Sequence, residues 1–336
     1  MTVSRIAAAC AALCAASAAP MAAHAAAPAY HVLDRIVGPD GRWDYVRVDA
    51  AHNRVLIAHG TSVTAVDLAS KAVTAKLAPG TGLHDAMPVG AGAEFLVTDG
   101  AAGKATFYNA GSGEVVATVQ AGKNPDAAAY DAHSGLVLVM NHSGGDITLI
   151  NAKTHAVVAT VTVGGALEAG AVDGAGKAFV NVEDKNEIAV IDLAGRKVTA
   201  RYALTGCDGP TGLAYDAADH MLMAACNGAT EFVDARSGKV LQTLATGKGA
   251  DGIAFDPRQK LAFVPSGREG TLAVIAVSPG KSSVVQTVPT QVSARTIAID
   301  ERSGRVYLPS AEYGPATPGA RPSLLPGTFR LIVVGK

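Results

Sequence analysis

The chain reads as all-β, and the predicted fold class is a seven-bladed β-propeller closed by an N-terminal strand that completes the last blade. Three observations predict it: a sequence repeat of about 42 residues, four short β-type runs inside each repeat, and a spare strand-like segment near the start of the chain. The repeat is marked by a segment ending in Asp or an equivalent: WDYVRVD (43–49), HDAMPVG (84–90), PDAAAYD (125–131), LEAGAVD (167–173), PTGLAYD (210–216), ADGIAFD (250–256) and ARTIAID (294–300). The last residues of these segments lie 41, 41, 42, 43, 40 and 44 apart. A second marker, Asp67, Asn109, Asn151, Asp192 and Asp234, recurs at spacings of 42, 42, 41 and 42, so the two keep step.

The four runs of a unit are clearest in the fifth, where LAYD, MLMAA, TEFVD and VLQTL are separated by turn residues. In the first run the residues one and three before the marker are mostly large and apolar (Val48 and Val46, Phe255 and Ile253), whereas those two and four before it are mostly small (Ala129 and Ala127, Ala254 and Gly252). Strand alternation puts the two sets on opposite faces, and a small column in every unit suits innermost strands that crowd together. The seventh unit offers only three strands, at 296–300, 305–309 and 329–334. The segment 31–37 supplies the fourth and removes the open edges. A Pro-rich loop at 311–326 interrupts this unit and is read as a cap on one face.

Before the propeller, residues 1–25 combine Arg5, an Ala-rich apolar stretch at 6–19, and Ala23 and Ala25 around His24, the layout of a secretory signal peptide cleaved near Ala25. The domain reading is therefore a signal peptide at 1–25 and a single propeller domain at 26–336, located in the periplasm or secreted. No later apolar run approaches the roughly 20 residues of a membrane span. Cys10 and Cys14 leave with the signal. Cys207 and Cys226 remain, one just before the first strand of the fifth unit and one at the end of its second, where antiparallel pairing brings them together as a disulfide. Lys plus Arg number 28 against 29 for Asp plus Glu, so the near-neutral chain lacks the positive field that nucleic acid would require.

The repeat framework resembles the YVTN-type seven-bladed propeller proteins over nearly the whole mature chain. The matching pieces are Pro210, Gly212, Ala214 and Asp216; Phe263, Val264, Pro265 and Ser266; Ile188, Val190, Ile191 and Asp192; and Ser237, Gly238 and Lys239. No unit spells Tyr-Val-Thr-Asn. The resemblance implies an exported binding or surface protein in a superfamily that is similar to lactonase-like propellers, and it implies fold far more than activity.

Candidate chemistry gathers on one face. Five residues before the marker the chain carries Asp44, Asp85, Asp126, Glu168, Thr211, Asp251 and Arg295, a mostly acidic ring around one channel mouth. Trp43 precedes Asp44 there. Together Trp43, Asp44, Asp85, Asp126, Glu168, Asp251 and Arg295 form the expected ligand-binding set. His59, His84 and His142 fall on the same face in consecutive units and suggest a divalent metal as the candidate cofactor, since imidazole with carboxylate suits Zn²⁺ and similar ions. No nucleophile elbow, H-E-x-x-H, P-loop or haem-attachment motif is present. These features point to a binding or scaffold protein, a monomer with a protein or small-molecule partner. A metal-assisted lactonase or related hydrolase is the alternative, and single-stranded nucleic-acid binding a third reading.

Overall fold

The computed structural model describes Met1, residues 29–315 and residues 322–336. The signal-peptide reading and the middle of the Pro-rich loop fall outside the described residues. Four four-stranded antiparallel sheets follow chain order from inside to outside: Pro125–Asp131, Leu136–Asn141, Asp146–Asn151, Val157–Thr162; Leu167–Val172, Lys177–Val182, Glu187–Asp192, Lys197–Ala203; Gly212–Asp216, Met221–Ala225, Gly228–Asp234, Val240–Gly247; and Ala254–Asp256, Leu261–Ser266, Thr271–Ala276, Ser283–Pro289. The outer strand is the least buried in each. The second strand Leu136–Asn141 is buried at all six positions because neighbouring sheets cover both of its faces, whereas the outer strand Val157–Thr162 shows mostly exposed or half-buried positions.

The described residues form six sheets, which corrects the expectation of seven separate blades. The first two sequence repeats share one six-stranded sheet: Val46–Asp49, Arg54–Asp67, Val73–Val89, Glu94–Asp99, Lys104–Asn109 and Val115–Gln120. Its two long strands run without a break through Gly60 and through Gly80, Thr81 and Gly82.

The repeat markers owe their regularity to turn chemistry. Asp67 accepts hydrogen bonds from the Ala69 and Ser70 amides, Asn109 from Gly111 and Ser112, Asn151 from Lys153 and Thr154, and Asp234 from Arg236 and Ser237. A short side-chain oxygen that caps its own turn is the reason only Asp or Asn stands there. The first markers act alike: buried Asp131 holds the Ser134 amide and hydroxyl, and buried Asp49 takes the Arg54 guanidinium at 2.8 Å.

The last sheet closes the ring. His31–Val37 pairs antiparallel with Arg330–Gly335, which is followed inward by Arg305–Ser310 and Ala298–Asp300, so the two ends of the chain share one sheet. Inner segments are also tied to one another round the axis. The Tyr45 amide donates to the His84 carbonyl, Ala169 to Thr211, Asp251 to Arg295, and the Thr296 hydroxyl to the Asp44 carbonyl. Cys207 and Cys226 are joined by a disulfide with Cα atoms 5.4 Å apart. No helix among the described residues is long and apolar enough to cross a membrane.

The strand His31–Val37 makes six register pairs with its partner. A chain starting at Pro39 should lose about 3 kcal/mol or more against one starting at Ala29, from backbone hydrogen bonds alone. Urea unfolding of the two chains measures this, and equal midpoints would show that the pairing contributes nothing to closure.

Candidate functional site

The acidic positions reach the mouth through a shared backbone feature. In three successive inner strands the pairing register slips by one residue at the carboxylate: Leu83 opposes Asp99 while Ala86 opposes Val97, Pro125 opposes Asn141 while Ala128 opposes Val139, and Leu167 opposes Val182 while Gly170 opposes Val180. Each slip inserts one extra residue in the inner strand, the geometry of a β-bulge, and re-aims the side chains there. The first repeat does the same, with the Asp44 amide donating to the Ala58 carbonyl and the Ala58 amide to the Tyr45 carbonyl.

Five of the resulting side chains form one network. His84 Nδ1 lies 2.7 Å from Asp44 Oδ2 and 3.3 Å from Asp126 Oδ1; His142 Nδ1 lies 3.0 Å from Glu168 Oε1 and 3.8 Å from Asp126 Oδ2. Asp126 thus stands between the two imidazoles. Glu168 is held from the other side by the Tyr45 hydroxyl, which donates to its Oε2 at 3.3 Å. Burial alone would lower the His84 imidazole, but the hydrogen bond to Asp44 and the charges of Asp126, Asp44 and Glu168 outweigh it and raise it to about 9. For His142 the hydrogen bond to Glu168 leads; burial opposes it, and the charges of Glu168 and Asp126 complete a rise to about 9. Burial, then the charges of Asp44 and Glu168, drive Asp126 well above the usual carboxyl range despite both imidazoles.

The other predicted residues are distributed differently. Asp85 is fully buried and turned onto Arg47, which donates from Nε at 2.9 Å and from Nη2 at 2.5 Å; the Ala128 amide donates to the same carboxylate. Asp251 accepts from Arg295 Nε at 2.8 Å, and burial with the charge of Asp44 still lifts it to about 7. Trp43 is buried against Phe329, with its carbonyl accepting from Arg295 Nη2 and the guanidinium 5.4 Å from the indole centroid. His59 does not join the network, contrary to the expected histidine trio. It is buried, its ring lies tilted against that of Phe329 with centroids 4.4 Å apart, Nδ1 lies 3.2 Å from the Thr64 hydroxyl, and burial lowers its pKa.

Sequence reasoning missed Arg47, Tyr45 and Tyr313. The signal for the first two was present: they stand two and four residues before Asp49, where most other units carry Ala or Gly. A bulky cation and a phenol in a column of small residues mark a filled axis. Tyr313 and Pro322 border two adjoining recesses of about 480 and 660 Å3 over the mouth. Trp43, Asp44, Leu83 and His84 line the first, Asp251, Arg268 and Ser293 the second, and Arg295 faces both.

No known protein family and no curated protein matches this chain. Among solved structures, a chain from the crystal structure of a mitotic checkpoint complex superposes with a TM-score of 0.74 over 95% of this chain and 98% of its own, at 14% identity. The fold is a β-propeller. At this identity the likeness carries fold alone, and the propeller's acidic mouth must be read from its own residues.

Two outcomes test the site's electrostatics. Both network histidines titrate at about 9 when folded against 6.5 ordinarily, so the stability they contribute is complete below pH 6.5 and is lost as the pH rises through 9. Asp251, raised from 3.8 to about 7, acts in the same sense between those values. In chelator-treated protein the melting temperature should fall by several degrees from about pH 6 to about pH 10, and a His84→Gln/His142→Gln double variant should flatten that fall. A parent curve level over this range would rule out the charged pair. Separately, Arg47→Met strands a fully buried carboxylate and should cost about 3 kcal/mol, most of it recovered in Arg47→Met/Asp85→Leu. A denaturant series on the three proteins decides it.

Proposed function

We propose that this chain is an exported propeller of the YVTN type that binds a ligand or partner at its acidic mouth. The observation that carries the reading is the convergence of Asp44, His84, Asp126, His142 and Glu168 beside two recesses that share Arg295. Elsewhere around the axis the inner column carries mostly Ala and Gly and offers no comparable chemistry. The seven sequence repeats fit into six sheets because the first two share one, and the Leu68 amide donates to the Asn53 carbonyl across Arg54–Asp67 as Ala110 does to Ala93, Ala152 to Gly135 and Leu193 to Gly176 in other repeats. The Ala-rich leader and the joined cysteines support export.

The mouth suits an amphipathic ligand. Trp43, Leu83, Tyr313 and Pro322 give an apolar wall, Arg295 and Arg42 give donors for an anionic group, and the His–carboxylate network gives charge of the opposite sign. The carboxylates oppose a nucleic-acid strand. A metal-assisted hydrolase is favoured only by the two His–carboxylate groupings, and lactone or ester turnover by purified protein would decide for it.

The test is retention from the native host in chelator-containing buffer, the full mature chain against Arg295→Ala and against His133→Ala, a hairpin histidine away from the mouth. A small molecule or protein should co-purify with the parent and with His133→Ala and be lost from Arg295→Ala. Equal retention by all three would move the binding site elsewhere.

A further inference from the structure

We infer that the mouth is a binding site for a divalent transition-metal cation, with Asp126 as the ligand common to two adjacent groupings. The inference rests on the mouth being the functional face and names one thing that binds there. One grouping is Asp44, His84 and Asp126; the other is Asp126, His142 and Glu168. In each, one ligand atom per residue lies within 4.8 Å of the others. The two Asp126 oxygens are divided between them, Oδ1 toward His84 at 3.3 Å and Oδ2 toward His142 at 3.8 Å. Ligand atoms around a four-coordinate cation at about 2.0–2.1 Å stand roughly 3.3 Å apart. The separations of 2.7, 3.0, 3.3 and 3.8 Å in the network fall around that value without any rearrangement of the strands.

A second observation is independent of this spacing. Asp126 is only 6% exposed, and its Oδ1 is buried with no hydrogen-bond partner although it faces into the first grouping. A buried carboxylate oxygen without a hydrogen-bond donor is costly, and a cation relieves it. The network is also short of positive charge. Counted as ionised, Asp44, Asp126 and Glu168 would exceed the two imidazolium charges by one, and a bound cation would let Asp126 carry that charge.

The supporting shell fixes the donors. A Cβ on Gly100 would sit 2.6 Å from His84 Nε2, so the glycine lets that ring lie flat against the turn with Nδ1 toward the acids. Tyr45 orients Glu168, and the Leu167 carbonyl oxygen, 3.2 Å from His142 Nδ1, helps to fix that ring. Nitrogen with oxygen is a donor set for Zn²⁺, Mn²⁺ or Fe²⁺; Ca²⁺ and Mg²⁺ prefer oxygen alone. Each grouping supplies three protein side chains, which leaves a position for water or for an oxygen of the ligand in the recess above.

The experiment is calorimetric titration of ZnCl₂ into the chelator-treated full mature chain, with Asp126→Asn, His142→Ala and His59→Ala beside the parent and circular dichroism to confirm folding. We expect saturable binding by the parent with Kd below about 10 µM, weakened at least about tenfold in Asp126→Asn and His142→Ala and unchanged in His59→Ala. Excess Mg²⁺ should not compete. Parent binding weaker than about 100 µM, or folded Asp126→Asn binding like the parent, overturns the inference; should Asp126→Asn not fold, His142→Ala decides by the same criterion. Loss of the cation site with retention from the native host intact would leave the mouth reading standing, because that retention is measured in chelator.

Discussion

Crowding at the axis governs this molecule. Inner strands converge so closely that a Cβ on Gly212 would come within 2.6 Å of the Gly252 carbonyl carbon, and Ala or Gly fills most of the column for that reason. Side chains that small cannot bury a polar group by packing over it. Every larger or charged group admitted to the axis must therefore bring its partner along, and the two bulky members of the column do so. Tyr45 donates to Glu168, and Arg47 holds Asp85 in a two-pronged pair that takes in the Ala128 amide and carbonyl as well. Removing either member would expose the other to the full penalty of an unpaired buried group.

The acids around the mouth are thereby divided into two kinds. Asp85 and Asp251 are matched to guanidinium groups, whose charge is permanent at any physiological pH. Asp44, Asp126 and Glu168 are matched to imidazoles, whose positive charge is conditional and can be exchanged for a cation or given up. The ring is asymmetric as a result: a fixed half around Arg295 and Trp43, suited to orienting a ligand, faces a labile half around His84 and His142. Arg295 joins the halves, since it pairs with Asp251, bonds the Trp43 carbonyl and borders both recesses.

What was legible in the sequence had local causes. The Asp and Asn markers could be read because each caps a turn two or three residues away, and the strands because alternation needs no distant partner. The closing role of His31–Val37 was legible as well, since the last repeat lacked a strand and this segment was spare. The number of separate sheets was not, because only hydrogen bonding makes the strands continuous through Gly60, Gly80 and Gly82 and so joins two repeats. His59 was placed with the other histidines by its position in the unit. Its actual surroundings, Phe329 and Thr64, depend on a residue at the far end of the chain that no local pattern reveals.

The bulges explain how acids came to stand at the mouth at all. By simple alternation the position five residues before each marker shares a face with those one and three before it, the large apolar residues that pack between sheets. A carboxylate there would be driven into the apolar layer. One extra residue in the inner strand reverses the facing of everything beyond it, and that insertion recurs at Asp85, Asp126 and Glu168. The unpaired backbone it leaves is partly repaired at Asp85, whose amide donates to the Thr98 hydroxyl, itself donating to the Asp126 carbonyl. The same hydroxyl thus links two bulges in neighbouring units, so the carboxylate of Asp126 is positioned by backbone geometry on both sides. That restraint is why its side chain can stay aimed into the network while one of its oxygens goes without a hydrogen-bond donor.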